Sequence, residues 1–179
     1  MRSFTEFCRA ALNALNESGA DYAIVGGVAA VYYGRPRTTV DVDLVIKFEP
    51  DTIDKICASL SKHGFMVLPE EIKDAIRERA HVSIFDEGSP YRLDLRGVTT
   101  PLDEASLARK QSVEIYGENV WMEAPEDLII AKLTYGSPQD IEDGQAILAK
   151  QKGKLDMKYL SEQARKMNIE EALTKILKG

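Results

Sequence analysis

The chain has 179 residues, 44% of them apolar and 29% charged, which is enough for one sizeable core and excludes a disordered or low-complexity sequence. Its net charge of −6 argues against general adhesion to nucleic acid. Because the sequence lacks the unbroken apolar run of a secretory signal or a membrane span, and because Cys8 and Cys57 fall in predicted helices without a partner, we expect a cytoplasmic protein with free thiols.

Hydrophobic periodicity and turn residues divide the chain into a mixed first part and a helical last part. The predicted elements of the first part are, in chain order, a helix from Ser3 to Gly19, a strand at 22–25, a Gly-Gly turn, a helix at 28–33, a strand at 40–47, a helix at 50–64, a strand at 65–68, a helix at 69–79, a hairpin of 81–86 with 91–96, a helix at 103–109 and a hairpin of 113–116 with 120–122. The last part has helical period at 126–135, 139–150, 157–166 and 169–177.

These elements predict an α+β, mixed α/β fold, with a twisted mixed sheet flanked by helices and a C-terminal helical extension. The predicted boundary lies near Ala124 and gives a core of residues 1–124 and an extension of residues 125–179. Trp121, on the last predicted strand, is expected to lie in the core.

Two aspartates, Asp41 and Asp43, lie on the strand predicted at 40–47. Side chains alternate along a strand, so the two carboxylates point to the same face and repel unless a cation or a proton lies between them. Oxygen ligands with room for water suit Mg²⁺ or Mn²⁺. Asp94, on a hairpin strand expected beside the first, adds a third carboxylate, so the sequence predicts that Asp41 and Asp43 bridge two ions and that Asp94 completes the ion on the nucleophile side.

Arg92 and Arg96 share the face of Asp94 by the same alternation. They are expected to be either ion-pair partners of the aspartates or contacts to a substrate.

Gly26 and Gly27 stand between a predicted strand and a predicted helix. Without side chains, a phosphate can approach the backbone, and the following helix offers free N–H groups. Taken alone, the pair is more typical of a tight turn than of a phosphate site. Combined with three carboxylates, it predicts nucleotidyl transfer, which depends on charge neutralisation and in-line placement of the reactants.

The loop before the aspartate strand carries Arg35 and Arg37, whose guanidinium groups can grip a phosphate bidentately or be solvated at the surface. A hydroxyl contact to the nucleotide is expected from Thr38 or Thr39 in the same loop.

On these motifs the chain resembles the DNA polymerase beta-like nucleotidyltransferase superfamily. The matching segments are Ile24-Val25-Gly26-Gly27, Asp41-Val42-Asp43-Leu44 and Leu93-Asp94-Leu95. Residues 34–44 and 125–133 resemble its minimal prokaryotic branch, which includes abortive-infection nucleotidyltransferase toxins of toxin–antitoxin systems. The resemblance covers most of residues 20–145.

The resemblance implies a transferase that moves a nucleoside monophosphate from an NTP such as ATP, with Mg²⁺ or Mn²⁺. It also implies that Lys132 and a downstream aspartate, Asp140 or Asp143, contribute to the nucleotide site, although Gln139 stands where the branch often has a basic residue. The alternatives are a non-catalytic nucleotide- or partner-binding module and a structural domain whose aspartates hold a stabilising cation.

The acceptor is left open by the sequence, with tRNA or other RNA, a protein and a small molecule all compatible. Residues 150–179 carry eight Lys or Arg and four Asp or Glu, a local charge of +4. That tail can face a polyanion, form a solvated helix surface, bind a partner protein or mediate a homodimer.

Overall fold

The structure is a computed structural model that describes residues 1–178. Within these residues there are nine helices and seven strands. They are, in chain order, α1 (Phe4–Ser18), β1 (Asp21–Val25), α2 (Gly26–Tyr33), β2 (Asp41–Lys47), α3 (Pro50–Lys62), β3 (Phe65–Met66), α4 (Pro69–Glu78), β4 (His81–Asp86), β5 (Arg92–Gly97), α5 (Pro101–Ala108), β6 (Gln111–Ile115), β7 (Glu118–Met122), α6 (Pro125–Tyr135), α7 (Pro138–Lys150), α8 (Met157–Lys166) and α9 (Glu170–Lys178).

The strands form one open sheet in the order β3-β4-β5-β2-β1-β7-β6. The pairs β2–β5 and β1–β7 are parallel, and the remaining pairs are antiparallel. This mixed sheet with flanking helices confirms the predicted fold class. It also places β2 and β5 side by side, as expected for the strands that carry the aspartates.

Local sequence signals define the first helix. The Ser3 hydroxyl accepts from the Glu6 amide, and the Glu6 carboxylate accepts from the Ser3 amide at 2.8 Å, which completes the predicted capping box. The helix ends at Gly19, whose φ of +72° is in the left-handed region that glycine favours. Its apolar face, which includes Phe7 and Leu12, is buried in the core.

The core lies between the sheet and the helices. Tyr22, Ile24, Leu44 and Leu93, from the central strands, are almost completely buried. The same hydrophobic cluster contains residues of α6 to α9, including Leu128. The division of the chain at residue 124 stays a prediction.

Trp121 is not in the core, and that prediction was wrong: the residue is 41% exposed. Alternation along β7 turns Val120 and Met122 inward and Trp121 outward, where its ring lies near the Lys110 ammonium group. Cys8 and Cys57 are both buried free cysteines, as expected. Within residues 1–178 no helix has the length and apolar character needed to cross a bilayer.

Candidate active site

Three carboxylates meet on one face of the central sheet. Asp41 and Asp43 lie at the start of β2, and Asp94 lies on β5, directly opposite Asp43 in the parallel register. Adjacent strands are about 4.8 Å apart. The structure therefore brings the three predicted aspartates together.

Two of these carboxylates are already satisfied by neighbouring side chains. The Arg92 guanidinium donates from Nη2 to Asp41 at 2.8 Å and from Nε to Asp94 at 2.9 Å. Thr39 donates to Asp41 at 3.0 Å and Ser83 donates to Asp94 at 2.6 Å. Arg92 is therefore an ion-pair partner of the aspartates, one of the two alternatives expected for it.

Asp43 has fewer hydrogen-bond donors and no ion pair to stabilise its charge among the described residues. Its one hydrogen bond within residues 1–178 is a long one, 3.5 Å, from the Gly27 amide. Burial, together with the charges of Asp41 and Asp94, raises the pKa of Asp43, while the Gly27 amide and Arg96 oppose the rise. A half-buried carboxylate beside two others is a site where a cation would be stabilised.

The donor set fits a divalent metal ion, but the side chains are not arranged around one. No group of three or more His, Cys, Asp or Glu side chains in residues 1–178 is positioned to hold a metal. Arg92 lies between Asp41 and Asp94 and supplies positive charge there. The oxygen ligands match Mg²⁺ or Mn²⁺ chemistry, and Asp43 lacks a cationic partner among the described ion pairs.

The Gly-Gly pair allows the chain to pass close to the acids. Both glycines belong to the first turn of α2 rather than to a separate turn before it. Gly26 has φ +63°, and a Cβ atom there would lie 2.3 Å from Asp43 Oδ2. A Cβ atom at Gly27 would lie 2.7 Å from Thr39 Oγ1. A larger residue at Gly26 would displace the Asp43 side chain, and one at Gly27 would displace that of Thr39.

A first cavity of about 340 Å³ opens on the glycine side of the acids. Its lining includes Gly26, Gly27, Asp41, Asp43, Arg37, Thr39, Lys132, Gln139 and Asp140. Most of the residues predicted to bind nucleotide therefore share this cavity.

Two cations of the first cavity, Lys132 and Arg37, are held by two aspartates of α7. Lys132, 8% exposed, lies 2.8 Å from Asp140 and 3.1 Å from Asp143. Arg37 binds Asp143 bidentately, with both distances 3.1 Å. Burial would raise the pKa of Asp140, but hydrogen bonds from Lys132 and Ser137 lower it overall. Both downstream aspartates named as alternatives contact Lys132.

Two predicted residues lie apart from this group. Arg35 pairs with Glu142 and borders a more apolar cavity among α7 to α9. Thr38 is exposed, and its backbone carbonyl accepts from Arg37 at 3.1 Å. Of the two threonines, Thr39 is the one whose hydroxyl faces the acids.

Sequence reasoning missed Glu123, which immediately follows β7 and lines the first cavity. It is 1% exposed, and its Oε2 accepts from Ser106 at 3.0 Å, while Oε1 has no hydrogen-bond partner among the described residues. Burial raises the pKa of Glu123 to about 8, so the carboxyl is largely neutral at pH 7. The available signal was an acidic residue next to the buried Met122 and Ala124.

A second cavity of about 390 Å³ lies on the Asp94 side. It is lined by Val25, Asp41, Asp43, Leu44, Arg79, Ala80, His81, Arg92, Asp94 and Arg96. Asp41 and Asp43 border both cavities, whereas Asp94 borders only the second. The acids thus stand where two ligands could meet.

Comparison with protein families gives one model, described as "Nucleotidyltransferase of unknown function (DUF6036)", which matches residues 5–175. No curated protein matches the sequence.

Among solved structures, the fold is similar to that of ANT(2″)-Ia, crystallised in complex with adenylyl-2″-tobramycin. The TM-score is 0.63 and the identity 16%, with 92% of this chain and 96% of that chain covered. An antigenic nucleotidyltransferase-like protein from Paracoccidioides brasiliensis has a TM-score of 0.56 and 19% identity, covering 99% and 94%. JHP933 from Helicobacter pylori has a TM-score of 0.50 and 14% identity, covering 93% and 75%. At these identities the likeness concerns the fold.

Proposed function

The chain belongs to the nucleotidyltransferase family DUF6036, and from that premise we propose that it transfers a nucleoside monophosphate from an NTP to an acceptor with the help of Mg²⁺ or Mn²⁺. The observation that carries the proposal is the placement of Asp41, Asp43 and Asp94 on adjacent strands beside Gly26. Three oxygen ligands next to a cavity of about 340 Å³ suit metal-assisted phosphoryl chemistry.

The first cavity is the proposed NTP site. The amide-rich start of α2 and the side chains of Arg37 and Lys132 offer donors to the β- and γ-phosphates. The α-phosphate would then lie near Asp41 and Asp43, the acids that border both cavities. Asp140 and Asp143 hold the two cations in position before the nucleotide binds.

The second cavity is the proposed acceptor site. A hydroxyl oxygen of the acceptor forms a bond to the α-phosphorus, the bond from that phosphorus to the β-bridging oxygen breaks, and pyrophosphate leaves. Asp94, which accepts from Ser83 and borders only this cavity, takes the hydroxyl proton. A divalent ion held by Asp41, Asp43 and Asp94 would neutralise the charge of the phosphates and lower the pKa of the hydroxyl.

The fold neighbour ANT(2″)-Ia was crystallised in complex with adenylyl-2″-tobramycin, so an aminoglycoside is one acceptor to test. RNA, protein and other small molecules are the remaining classes.

The direct test is incubation with each labelled NTP, Mg²⁺ and a panel of acceptors, for wild type and for Asp41→Asn and Asp43→Asn. We expect each variant to lose about 10³-fold or more of the transfer rate, because loss of one metal ligand removes several kcal/mol of transition-state stabilisation. Asp54→Asn, an exposed acid on α3, is the matched control and should retain activity.

The melting temperature of Asp43→Asn also shows whether a loss of activity comes from the missing carboxylate or from unfolding of the variant. Since the pKa of Asp43 is raised, its ionised form destabilises the folded protein, and removing the charge should increase the melting temperature at neutral pH. Transfer that is unchanged in both active-site variants would refute the proposal.

A second candidate, a non-catalytic nucleotide- or partner-binding module, is favoured by one observation. Arg92 satisfies Asp41 and Asp94 without a metal ion. Calorimetry that detects NTP binding, together with no product for any acceptor, would support this candidate. Metal-dependent stability without any NTP affinity would instead indicate that the acids only hold a structural cation.

A further inference from the structure

The second cavity is lined by four basic residues, and only two of them form ion pairs with acidic side chains of the described residues. Arg92 pairs with Asp41 and Asp94, and Arg96 pairs with Asp103 at 2.9 Å. The other two basic residues of the lining, Arg79 and His81, are exposed and have no ion-pair partner within residues 1–178. This side of the acids therefore carries two basic residues, Arg79 and His81, that no acidic side chain of the described residues neutralises.

Arg79 stands at a backbone position that does not favour arginine. It caps the C-terminus of α4 with φ +53° and ψ +35°, in the left-handed region. Glycine is the usual residue at such a cap, because a side chain there costs folding free energy. A strained residue that lines a cavity beside the candidate active site is an observation from which a functional role can be inferred.

The metal-bound state would increase the positive charge further. Arg92 would lose its two carboxylate partners to a bound cation, and its guanidinium would then be free to face the cavity. With the three acids neutralised in this way, a cationic acceptor would be repelled by the unpaired charges of Arg79 and Arg92.

We propose, on the basis of the function proposed above, that the second cavity binds an acceptor carrying a phosphate group, which is held by Arg79 and His81 beside Asp94. A guanidinium fork matches phosphate oxygens bidentately, and an imidazole N–H adds a further donor. The phosphate serves for recognition and does not react. The reacting group remains an acceptor hydroxyl, whose proton passes to Asp94 as pyrophosphate leaves the NTP.

Such a phosphate can belong to a small phosphorylated sugar or to the end of an RNA. The two sources share the same chemistry at Arg79 and differ in size. Ribose 5-phosphate and a short 5′-phosphorylated RNA are suitable probes, with ribose and the dephosphorylated RNA as their controls.

The experiment measures probe binding by calorimetry in the presence of Mg²⁺ and a non-hydrolysable NTP analogue. We expect at least one phosphorylated probe to bind tighter than its unphosphorylated control. Arg79→Gly should weaken that binding about 10- to 100-fold, the effect of one charge-assisted contact, and Arg79→Lys should restore part of it. Arg77→Gln, an exposed residue of the same helix paired with Asp74, should leave it unchanged.

Two further measurements on Arg79→Gly, its melting temperature and its affinity for the NTP analogue, show whether a loss of probe binding is specific to the second cavity. Arg79→Gly relieves the left-handed backbone, so its melting temperature should be unchanged or higher. Its affinity for the NTP analogue should equal that of wild type, since Arg79 does not border the first cavity. Absence of NTP binding in wild type would count against the proposed function and not against the acceptor class.

The result identifies the source of the phosphate or overturns the proposal. Binding of ribose 5-phosphate indicates a small acceptor, and binding of the RNA alone indicates an RNA end. Equal binding of phosphorylated and unphosphorylated probes, or full phosphate binding by Arg79→Gly, would overturn it.

Discussion

The two cavities beside the acids differ in how their positive charges are held. In the first, Lys132 and Arg37 are fixed by ion pairs to Asp140 and Asp143 inside the protein. In the second, Arg92 and Arg96 are paired as well, but Arg79 is exposed and has no ion-pair partner in the described chain. A triphosphate would thus enter a prearranged site, whereas the acceptor itself would complete the second site. This difference suggests that the first cavity serves the common chemistry and that the second sets acceptor specificity.

Among variants that keep all three acids, the largest effect is expected where the two cavities share a wall. In Gly26→Ala the new Cβ atom would lie 2.3 Å from Asp43 Oδ2, so Asp43 must move and both cavities change. We expect the transfer rate to fall about 100-fold or more, because a displacement of about 1 Å at the reacting centre has that effect. The measurement is the single-turnover rate with saturating NTP.

Gly19→Ala is the matched control for this variant. Its φ of +72° imposes a similar backbone penalty, but within residues 1–178 no atom other than those of Gly19 and its chain neighbours lies within 4 Å of the added Cβ. Gly19→Ala should lose stability and keep its rate once folded. An equal loss of rate in both variants would mean that strain, and not contact with Asp43, explains the effect.

Lys132→Met is expected to have a smaller effect, which is confined to NTP binding. Loss of one charge-assisted contact to phosphate should weaken NTP binding about 10- to 100-fold and leave acceptor affinity unchanged, the reverse of Arg79→Gly. Arg37 remains to neutralise the buried Asp143, which limits the cost to stability.

Calorimetric titrations of NTP and acceptor on both variants check this pattern, with Lys62→Met, an exposed lysine paired with Glu17, as the charge-matched control. If Lys132→Met and Arg79→Gly weakened both ligands to the same extent, the two cavities would not be separate subsites.

The smallest effect on transfer is expected from Glu123→Gln, which alters the wall of the first cavity. Because burial raises the pKa of Glu123 from 4.5 to about 8, the folded protein holds a proton there that the unfolded chain releases. The contribution of this group to stability is therefore complete below pH 4.5 and is lost as the pH rises to about 8, with a slope of up to about 1.4 kcal/mol per pH unit.

Glutamine mimics the neutral acid, so the variant should lose this slope and keep near-normal transfer at pH 7. Urea denaturation at a series of pH values measures the slope for both proteins. Asp43→Asn provides the comparison, because the raised pKa of Asp43 contributes in the same direction. An unchanged slope in Glu123→Gln would show that the carboxyl is already ionised in the folded state.

The sequence alone was sufficient to predict those features of the site that depend on the order of neighbouring residues along the chain. Strand alternation placed Asp41 and Asp43 on one face, and the neighbouring hairpin made Asp94 a natural third carboxylate. The same alternation, applied to β7, would have predicted an exposed Trp121. The prediction of a buried Trp121 relied instead on the general preference of large aromatic residues for the core, and it was wrong.

Other parts of the site depend on contacts between distant segments. The sequence could not distinguish Thr38 from Thr39, because the choice depends on how residues 35–39 pack against β2. Arg35 turns toward Glu142, and Arg37 supplies positive charge beside Gln139, where the branch often has a basic residue. Arg79 joins the acids only because α4 ends beside β5, a long-range arrangement that periodicity does not encode.

The most direct test of the central claim is a crystal structure with Mn²⁺ and a non-hydrolysable NTP analogue, using the anomalous signal of the metal. The account predicts Mn²⁺ bound by Asp41 and Asp43, phosphates over the start of α2, and the Arg92 guanidinium turned away from Asp41 and Asp94. A nucleotide bound elsewhere, or Arg92 still bridging the two acids with no metal beside them, would contradict it.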